Sequence, residues 1–94
     1  DPVNEIPSSI YLEQNYPNPF NPVTAINFGI PKAGNVKLSV YNALGMETEV
    51  LLNGYRSAGY HNISFNAENY SSGIYFYKLT SGQFYETKKM SIIK

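Results

Sequence analysis

The sequence contains no cysteine, no tryptophan and only one histidine among its 94 residues. Without cysteine the chain has no disulfide, no thiolate metal site and no cysteine nucleophile. A domain of this composition must hold itself together by packing and hydrogen bonding alone. His61 is the one side chain whose ordinary pKa lies near neutrality, so any general-base catalysis would depend on it.

Net charge is also missing. Seven basic and seven acidic side chains cancel, which gives no electrostatic reason to bind nucleic acid or an anionic membrane. The charge is uneven along the chain, because residues 78–94 contain four lysines and a single glutamate. We therefore expect a basic C-terminal end.

Long apolar runs are absent too. No stretch of the sequence approaches the ~20 apolar residues of a membrane-spanning helix. The chain does not open with the charged and then apolar pattern of a signal peptide. If the protein is exported, we expect its N-terminal export signal to belong to a longer precursor.

What is present is the composition of one small β-rich domain. A chain of this length is enough for a single core. Its nine tyrosines and five phenylalanines suit strands with one wet face. Residues 1–9, DPVNEIPSS, have little that could be buried, so we interpret them as a linker from an upstream passenger. Residues 10–94 are then the domain.

Alternating apolar and polar residues predict about seven strands. Turn signals separate them roughly every 8 to 12 residues, which is the pattern of an all-β, immunoglobulin-like antiparallel sandwich. The predicted strands cover residues 10–15, 23–30, 36–41, 46–52, 59–65, 73–80 and 83–93. We expect the second and third of these to be antiparallel neighbours. The sixth has β-formers on both faces, which predicts a central strand covered on each side.

Short polar stretches predict the connections. Residues 42–45 favour a tight turn, and Asn53-Gly54 is a strong turn dipeptide. Ser81-Gly82 fits a two-residue hairpin turn. The polar residues 66–72 indicate a loop that crosses between the two sheets.

The most distinctive stretch is YPNPFNPVT at residues 16–24, with its three prolines. Each proline fixes φ at about −65° and restricts the residue before it, so this stretch predicts a stiff, extended, non-helical segment. Tyr16 and Phe20 flank the first prolines, and two aromatic rings are costly to leave in water together. We expect both rings to be pinned across the mouth of the core.

No constellation in the sequence supports catalysis or metal binding. His61 lies in a predicted strand without a nearby aspartate or nucleophilic serine motif. Glu47 and Glu49 share a strand face, but Ca²⁺ wants at least about six oxygen ligands and no Asp-rich loop supplies them. We therefore expect a protein that is not an enzyme, with no cofactor, no metal and no small-molecule substrate.

Four stretches together resemble the C-terminal sorting domain of type IX secretion cargo, also called the Por secretion system tail. The resemblance covers residues 10–94. It extends to the immunoglobulin-like domain of flagellar hook-capping proteins, which is similar in fold. The stretches are LEQNYPNPFNPVTAINFGIP at 12–31, VKLSVYNALGMETEVL at 36–51, GYHNISFNAENYSSGIYFYKL at 59–79 and ETKKMSIIK at 86–94.

The resemblance implies a secretion signal of the Bacteroidetes and their relatives. Such a domain directs its passenger through the periplasm to the cell surface or the medium, and is recognised by the type IX translocon and its shuttle. A sortase-like peptidase then acts on it, and residues 1–9 are the accessible place for a cut. Matching the family motifs assigns recognition to the following residues: Pro17, Asn18, Pro19, Gly73, Tyr75, Lys88, Lys89 and Lys94.

Two other functions stay open at this point. Exposed tyrosines would permit an accessory module that binds carbohydrate or a surface, and the fold would also suit a structural or assembly domain. A sorting signal should fail when its last residues are removed, whereas a binding module should tolerate that change and keep its affinity. The exposed edge of a basic final strand would give the secretion machinery a place to pair.

Overall fold

The computed structural model describes residues 6–94 and confirms the all-β sandwich. Within this range there is no helix, and hence none that could cross a membrane. The strands are β1 (Tyr11–Leu12), β2 (Val23–Ile30), β3 (Gly34–Tyr41), β4 (Glu47–Arg56), β5 (Gly59–Asn66), β6 (Gly73–Ser81) and β7 (Phe84–Ile92).

The strands form two sheets in which every neighbouring pair is antiparallel. The three-stranded sheet has the order β1-β2-β5, and the four-stranded sheet has the order β4-β3-β6-β7. A constant-type immunoglobulin domain instead groups its first, second, fourth and fifth strands. Here the fourth strand belongs to the other sheet, next to the third. The fold is therefore an immunoglobulin-like sandwich with its fourth strand switched.

The core lies between the sheets and follows the alternation of the sequence. In β2 the side chains of Ile26, Phe28 and Ile30 are buried, as their spacing predicts. They meet the inward residues of the four-stranded sheet, so residues 6–94 share one core. The buried residues of this core cluster are Leu12, Phe20, Ile26, Phe28, Ile30, Val36, Leu38, Val40, Leu52, Phe65, Ala67, Tyr77, Leu79, Met90 and Ile92.

Two predictions about strand pairing and turns are wrong. Strands β2 and β3 are not neighbours, because the chain crosses from one sheet to the other between them. Asn53 and Gly54 do not form a turn but lie inside β4, where they pair with Lys37 and Val36 of β3. Pairing with a neighbouring strand overrides the local turn preference. The chain turns after β4 instead and crosses to β5, as it crosses again at residues 66–72.

Three other predictions need adjustment. The first strand is shorter than residues 10–15, and the last hairpin turns at Gly82 and Gln83, one residue later than predicted. Strand β6 is interior in its sheet but only one of its faces is buried. Tyr77 and Leu79 point into the core, whereas Ile74 is 41% exposed on the outer face. Half-exposed aromatic and β-branched side chains explain why both faces read as apolar.

The N-terminal stretch enters the fold before Ile10. Residues 1–5 of the predicted linker lie outside the described residues. Pro7 is buried and lies over Gly29 together with the ring of Tyr11. The boundary of the domain at residue 10 stays a prediction, and packing against the three-stranded sheet already begins at Pro7.

Candidate recognition site at one end of the sandwich

Segments that are far apart in sequence meet at one end of the sandwich. They are residues 14–22, the loop 67–72, the start of β6 at 73–75 and the chain end at 89–94. We call residues 14–22 the entrance segment. We call this end of the molecule the motif end, because most of the predicted recognition residues lie there. Hydrogen bonds connect each segment with at least one other.

The entrance segment runs along the outer edge of β7 and occupies its hydrogen-bonding groups. The Phe20 N–H donates to the carbonyl of Ser91 at 3.1 Å, and the Ile93 N–H donates to the carbonyl of Phe20 at 3.0 Å. The Ser91 N–H donates to Oδ1 of Asn18 at 2.9 Å, and Nε2 of Gln14 donates to the carbonyl of Lys89 at 2.7 Å. The predicted open edge of β7 is therefore already filled from Lys89 to Ile93.

A buried polar network fixes the shape of the entrance segment. The hydroxyl of Tyr77 accepts from the Asn15 N–H and donates to the carbonyl of Glu13, each at 2.7 Å. Nδ2 of Asn15 donates to Oγ1 of Thr24 at 3.0 Å and to the carbonyl of Pro17 at 3.1 Å. Oγ1 of Thr24 also donates to Pro17, at 2.8 Å. The buried side chains of Asn15 and Thr24 thus satisfy one another and tie the segment to β2 and β6.

The proline stretch differs from the prediction in two respects. It is not extended throughout, because the chain bends at residues 17–19 and again at 21–22. Phe20 is 3% exposed, as predicted, but Tyr16 is 80% exposed and does not enter the core. Tyr16 forms a bridge with Ala25 on the outer face of β2, and side chains on that face point to water. Of the two rings, only that of Phe20 packs in the core.

Gly73 and Tyr75 build the corner that leads into β6. Gly73 has φ of 151°, a backbone conformation that side chains rarely adopt. The hydroxyl of Tyr75 donates to the carbonyl of Ser71, four residues upstream, at 3.0 Å. This is the geometry of a tyrosine corner in immunoglobulin-like domains. The Gly-x-Tyr pattern therefore shapes the loop 67–72.

A row of aromatic rings links the corner to the entrance segment. Phe20 meets Phe65 edge-on at 6.0 Å between ring centroids, Phe65 meets Tyr70 at 5.2 Å, and Tyr70 meets Tyr75 at 5.3 Å. Each contact has the tilted or edge-to-face arrangement that aromatic pairs favour. The row connects the entrance segment with the Gly73–Tyr75 corner, although the two are more than fifty residues apart in sequence.

The three predicted C-terminal lysines have different surroundings. Nζ of Lys94 donates to the carbonyls of Ala67 and Glu68 at 3.0 and 2.8 Å, so it closes the loop 67–72. Nζ of Lys88 lies 3.2 Å from a carboxylate oxygen of Glu86. Lys88 and Glu86 are on the inward side of the edge strand β7, where Lys88 lies opposite Tyr77 and Glu86 lies opposite Leu79. Lys89 is exposed on the outer face, opposite Phe76.

Replacing Tyr77 with phenylalanine is expected to cost about 1–3 kcal/mol of unfolding free energy, because the buried Asn15 N–H loses its acceptor.

The variant should also change the dependence of stability on pH. Burial raises the pKa of Tyr77 to about 12 from an ordinary 10.0. The unfolded chain therefore loses its proton first, and stability that is fully present below pH 10 is lost as the pH rises to about 12.

Urea unfolding at several pH values checks this prediction. The loss over that range is about 2–3 kcal/mol from Tyr77 alone. Burial also raises the pKa of Tyr11 and Tyr70, so the variant should keep a smaller slope. Parallel pH profiles for the wild-type protein and Tyr77→Phe would show that the Tyr77 hydroxyl does not have the assigned role.

Comparison with protein families decides the identity of this arrangement. The family model described as the secretion system C-terminal sorting domain matches residues 14–94. The chain belongs to this family. The matched range begins at the entrance segment and includes both sheets. No curated protein and no solved structure matches the chain.

Membership establishes what the sorting domain is for. It is a C-terminal signal for type IX secretion, attached to a passenger protein, and it directs export to the cell surface or the medium. Interaction with the secretion system follows from that role. Neither the accessory binding function nor the structural function receives support from the family match.

Sequence reasoning missed the residues that hold the motif end together. Asn15, Thr24 and Tyr77 are not among the predicted recognition residues, yet they fix the entrance segment. Asn15 precedes a proline-rich stretch and resembles any turn residue. Tyr77 lies in a run of apolar residues, and the sequence pattern there would fit a core phenylalanine equally well. No local signal in the sequence distinguishes these polar contacts from ordinary strand residues.

Proposed function

We propose that the motif end is the part of the sorting domain that the type IX translocon and its shuttle recognise. A sortase-like peptidase then acts on the cargo. The observation that carries the proposal is the convergence of the entrance segment, the tyrosine corner and the chain end into one hydrogen-bonded unit. A preformed unit loses little conformational entropy when it binds, which favours recognition of many different passengers by one receptor.

Within this proposal the motif residues divide by role. Asn18, Gly73, Tyr75 and Lys94 position the chain, since their side chains or backbone are engaged inside the domain. Lys88 lies inward on the edge strand and pairs with Glu86, a placement that discourages pairing with other sheets. Asn18, Gly73 and Lys94 are exposed as well, but among the motif residues only the side chains of Pro17, Pro19 and Lys89 are exposed and make no hydrogen bond or ion pair within residues 6–94. These three are free to touch a receptor directly.

The proposed function is not enzymatic. His61 stacks on Phe28 with 5.1 Å between ring centroids, and its Nε2 lies 2.9 Å from the carbonyl of Ser57. These contacts support a packing role for the imidazole. Within residues 6–94 there is no group of three His, Asp or Glu side chains placed to hold a metal. The passenger supplies whatever activity the full protein has.

Fusion of residues 1–94 to a periplasmic reporter tests the proposal. The fusion carries its own N-terminal export signal and is produced in a type IX-competent bacterium and in a matched strain without the translocon. We expect surface or medium delivery only in the competent strain. Mass spectrometry of the mature passenger would also show whether a cut falls in residues 1–9. A fusion that stays in the periplasm of both strains would contradict the proposed function.

A further inference from the structure

The turn between β3 and β4 is rigid, yet it exposes apolar side chains. Oδ1 of Asn42 accepts from the N–H groups of Leu44 and Met46 at 2.9 and 3.0 Å, and Gly45 takes φ of 86°. The Asn42 N–H donates to the carbonyl of Met46 at 2.9 Å and closes the turn. Leu44 is nevertheless 84% exposed, and Met46 is exposed beside it. Leu44 and Met46 therefore add two adjacent apolar side chains to the exposed surface at this end of the four-stranded sheet.

This turn lines a surface groove together with the Gly-x-Tyr corner. Leu44 lies on one side of the groove, and Gly73, Ile74 and Tyr75 lie on the other. Ile74 is exposed on the outer face of the four-stranded sheet. Asn42 and Ser72 also line the groove, so its apolar side chains are set in a partly polar lining that is continuous with the motif end.

A second groove continues along the same outer face. Its residues include Tyr41, Gly45, Phe76, Lys78 and Thr87. Gly45 follows Leu44 directly, and Phe76 is the next outward residue of β6 after Ile74, so the two grooves adjoin. Lys89 lies opposite Phe76 across the β6–β7 pair. The outer face thus carries an apolar strip with two lysines beside it.

Those two lysines have no carboxylate partner within the described residues. The ion pairs there are Lys37 with Glu47, at 3.2 Å, and Lys88 with Glu86. Nζ of Lys78 lies 5.4 Å from the ring centroid of Tyr41, a cation–π distance. Lys89 is exposed beside Phe76. The carboxylate of Glu47 lies 3.4 Å from the Tyr41 hydroxyl and is paired with Lys37. The ammonium groups of Lys78 and Lys89 are therefore in excess along the strip, although the whole chain is neutral.

We infer that Leu44, Ile74, Phe76, Lys78 and Lys89 form a docking surface, which we call the outer strip. Its occupant is a segment of a secretion-machinery protein with apolar side chains next to carboxylates. This inference rests on the proposed function and names the chemistry of the partner.

Two physical features favour this occupant. The apolar groove and the unpaired ammonium groups lie side by side, so an acidic segment with apolar anchors satisfies both at once. The hydrogen-bonded turn presents Leu44 without a loss of loop entropy on binding. The strip adjoins Gly73 and Tyr75, so one receptor can contact the strip and the motif end together. In this arrangement the apolar anchors supply affinity and the lysines steer the approach.

Reporter delivery by variants of the strip tests the inference. Leu44→Ser combined with Ile74→Ser should lower the initial rate of delivery roughly tenfold, as expected when interface anchors are lost. Lys89→Glu should lower it as well, by charge repulsion. The matched controls are Tyr55→Ser, since Tyr55 is 66% exposed at the end of β4 that is far from Leu44, and Lys32→Glu in an exposed turn. Both controls should deliver at the wild-type rate.

A competition assay gives a second readout. Wild-type residues 1–94, produced in the periplasm without a reporter, should reduce delivery of the fusion, and the Leu44→Ser, Ile74→Ser double variant should not. Wild-type delivery with equal rates for all variants would overturn the outer strip while leaving the proposed function intact. A wild-type fusion that stays periplasmic would instead contradict the proposed function itself.

Two further outcomes would overturn the inference by identifying another occupant. The first is sedimentation of the wild-type domain as a dimer that the double variant does not form, which would assign the strip to a second copy. The second is binding of phosphatidylglycerol vesicles that Lys89→Glu abolishes, which would assign it to a membrane surface. We expect a monomer and no vesicle binding.

Discussion

Replacing Phe20 with alanine is expected to lower the free energy of unfolding by about 3–5 kcal/mol, the usual cost of removing a buried phenylalanine. Phe20 is nearly fully buried and packs on Phe65. Its backbone also bonds to Ser91 and Ile93 on the edge of β7. The loss of the ring should therefore release the entrance segment from β7 as well as open a cavity. Urea denaturation followed by circular dichroism measures the change.

Tyr16→Ala is the matched control for that prediction. Tyr16 lies in the same proline stretch but points to water, so its removal should change the unfolding free energy by no more than about 0.5 kcal/mol. Hydrogen exchange should show that the Ser91 and Ile93 amides lose protection in Phe20→Ala and keep it in Tyr16→Ala. Similar effects of the two substitutions would contradict the assignment of Phe20 as the residue that pins the entrance segment.

Removal of residues 88–94 is expected to abolish cooperative folding. The deletion takes Met90 and Ile92 out of the core, and each buried side chain of this size contributes about 2–5 kcal/mol. A domain has about 5–15 kcal/mol in total. The deletion also removes the strand that holds the entrance segment. Thermal unfolding of the truncated protein should show no sigmoidal transition.

The control for the truncation keeps the strand and changes only its charges. Lys88→Ala combined with Lys89→Ala leaves Met90 and Ile92 in place, so the transition should remain cooperative and shift by no more than about 1 kcal/mol. A truncated protein that unfolds with a wild-type transition would show that the chain end is a separate tail. The two variants also show why loss of sorting after truncation does not by itself identify a linear signal.

Local periodicity predicted the strands well and their partners poorly. The alternation in residues 23–30 placed Ile26, Phe28 and Ile30 in the core, where they lie. Alternation, however, says which face of a strand is buried and not which strand lies beside it. The crossing between β2 and β3 and the pairing of Asn53 and Gly54 inside β4 depend on the whole sheet. Short-range patterns do not contain that information.

The candidate site was predictable as a set of motifs but not as a structure. The resemblance named Asn18, Tyr75 and Lys94, and the structure shows what each of them holds. Oδ1 of Asn18 accepts from the Ser91 N–H on β7, and the Tyr75 hydroxyl donates to the Ser71 carbonyl. Nζ of Lys94 donates to a carbonyl of the loop 67–72. These contacts join residues that are up to seventy-three positions apart. They follow from the packing of the sandwich, which no single stretch of sequence specifies.

We propose that the sorting signal is the assembled motif end rather than the motif residues as such. The most direct test of this proposal is surface delivery of the reporter fused to the wild-type domain and to Phe20→Ala, in which every predicted recognition residue is unchanged. Delivery of the variant is expected to fall in step with the loss of amide protection at Ser91 and Ile93. Wild-type delivery by a variant whose Ser91 and Ile93 amides exchange freely would contradict the proposal.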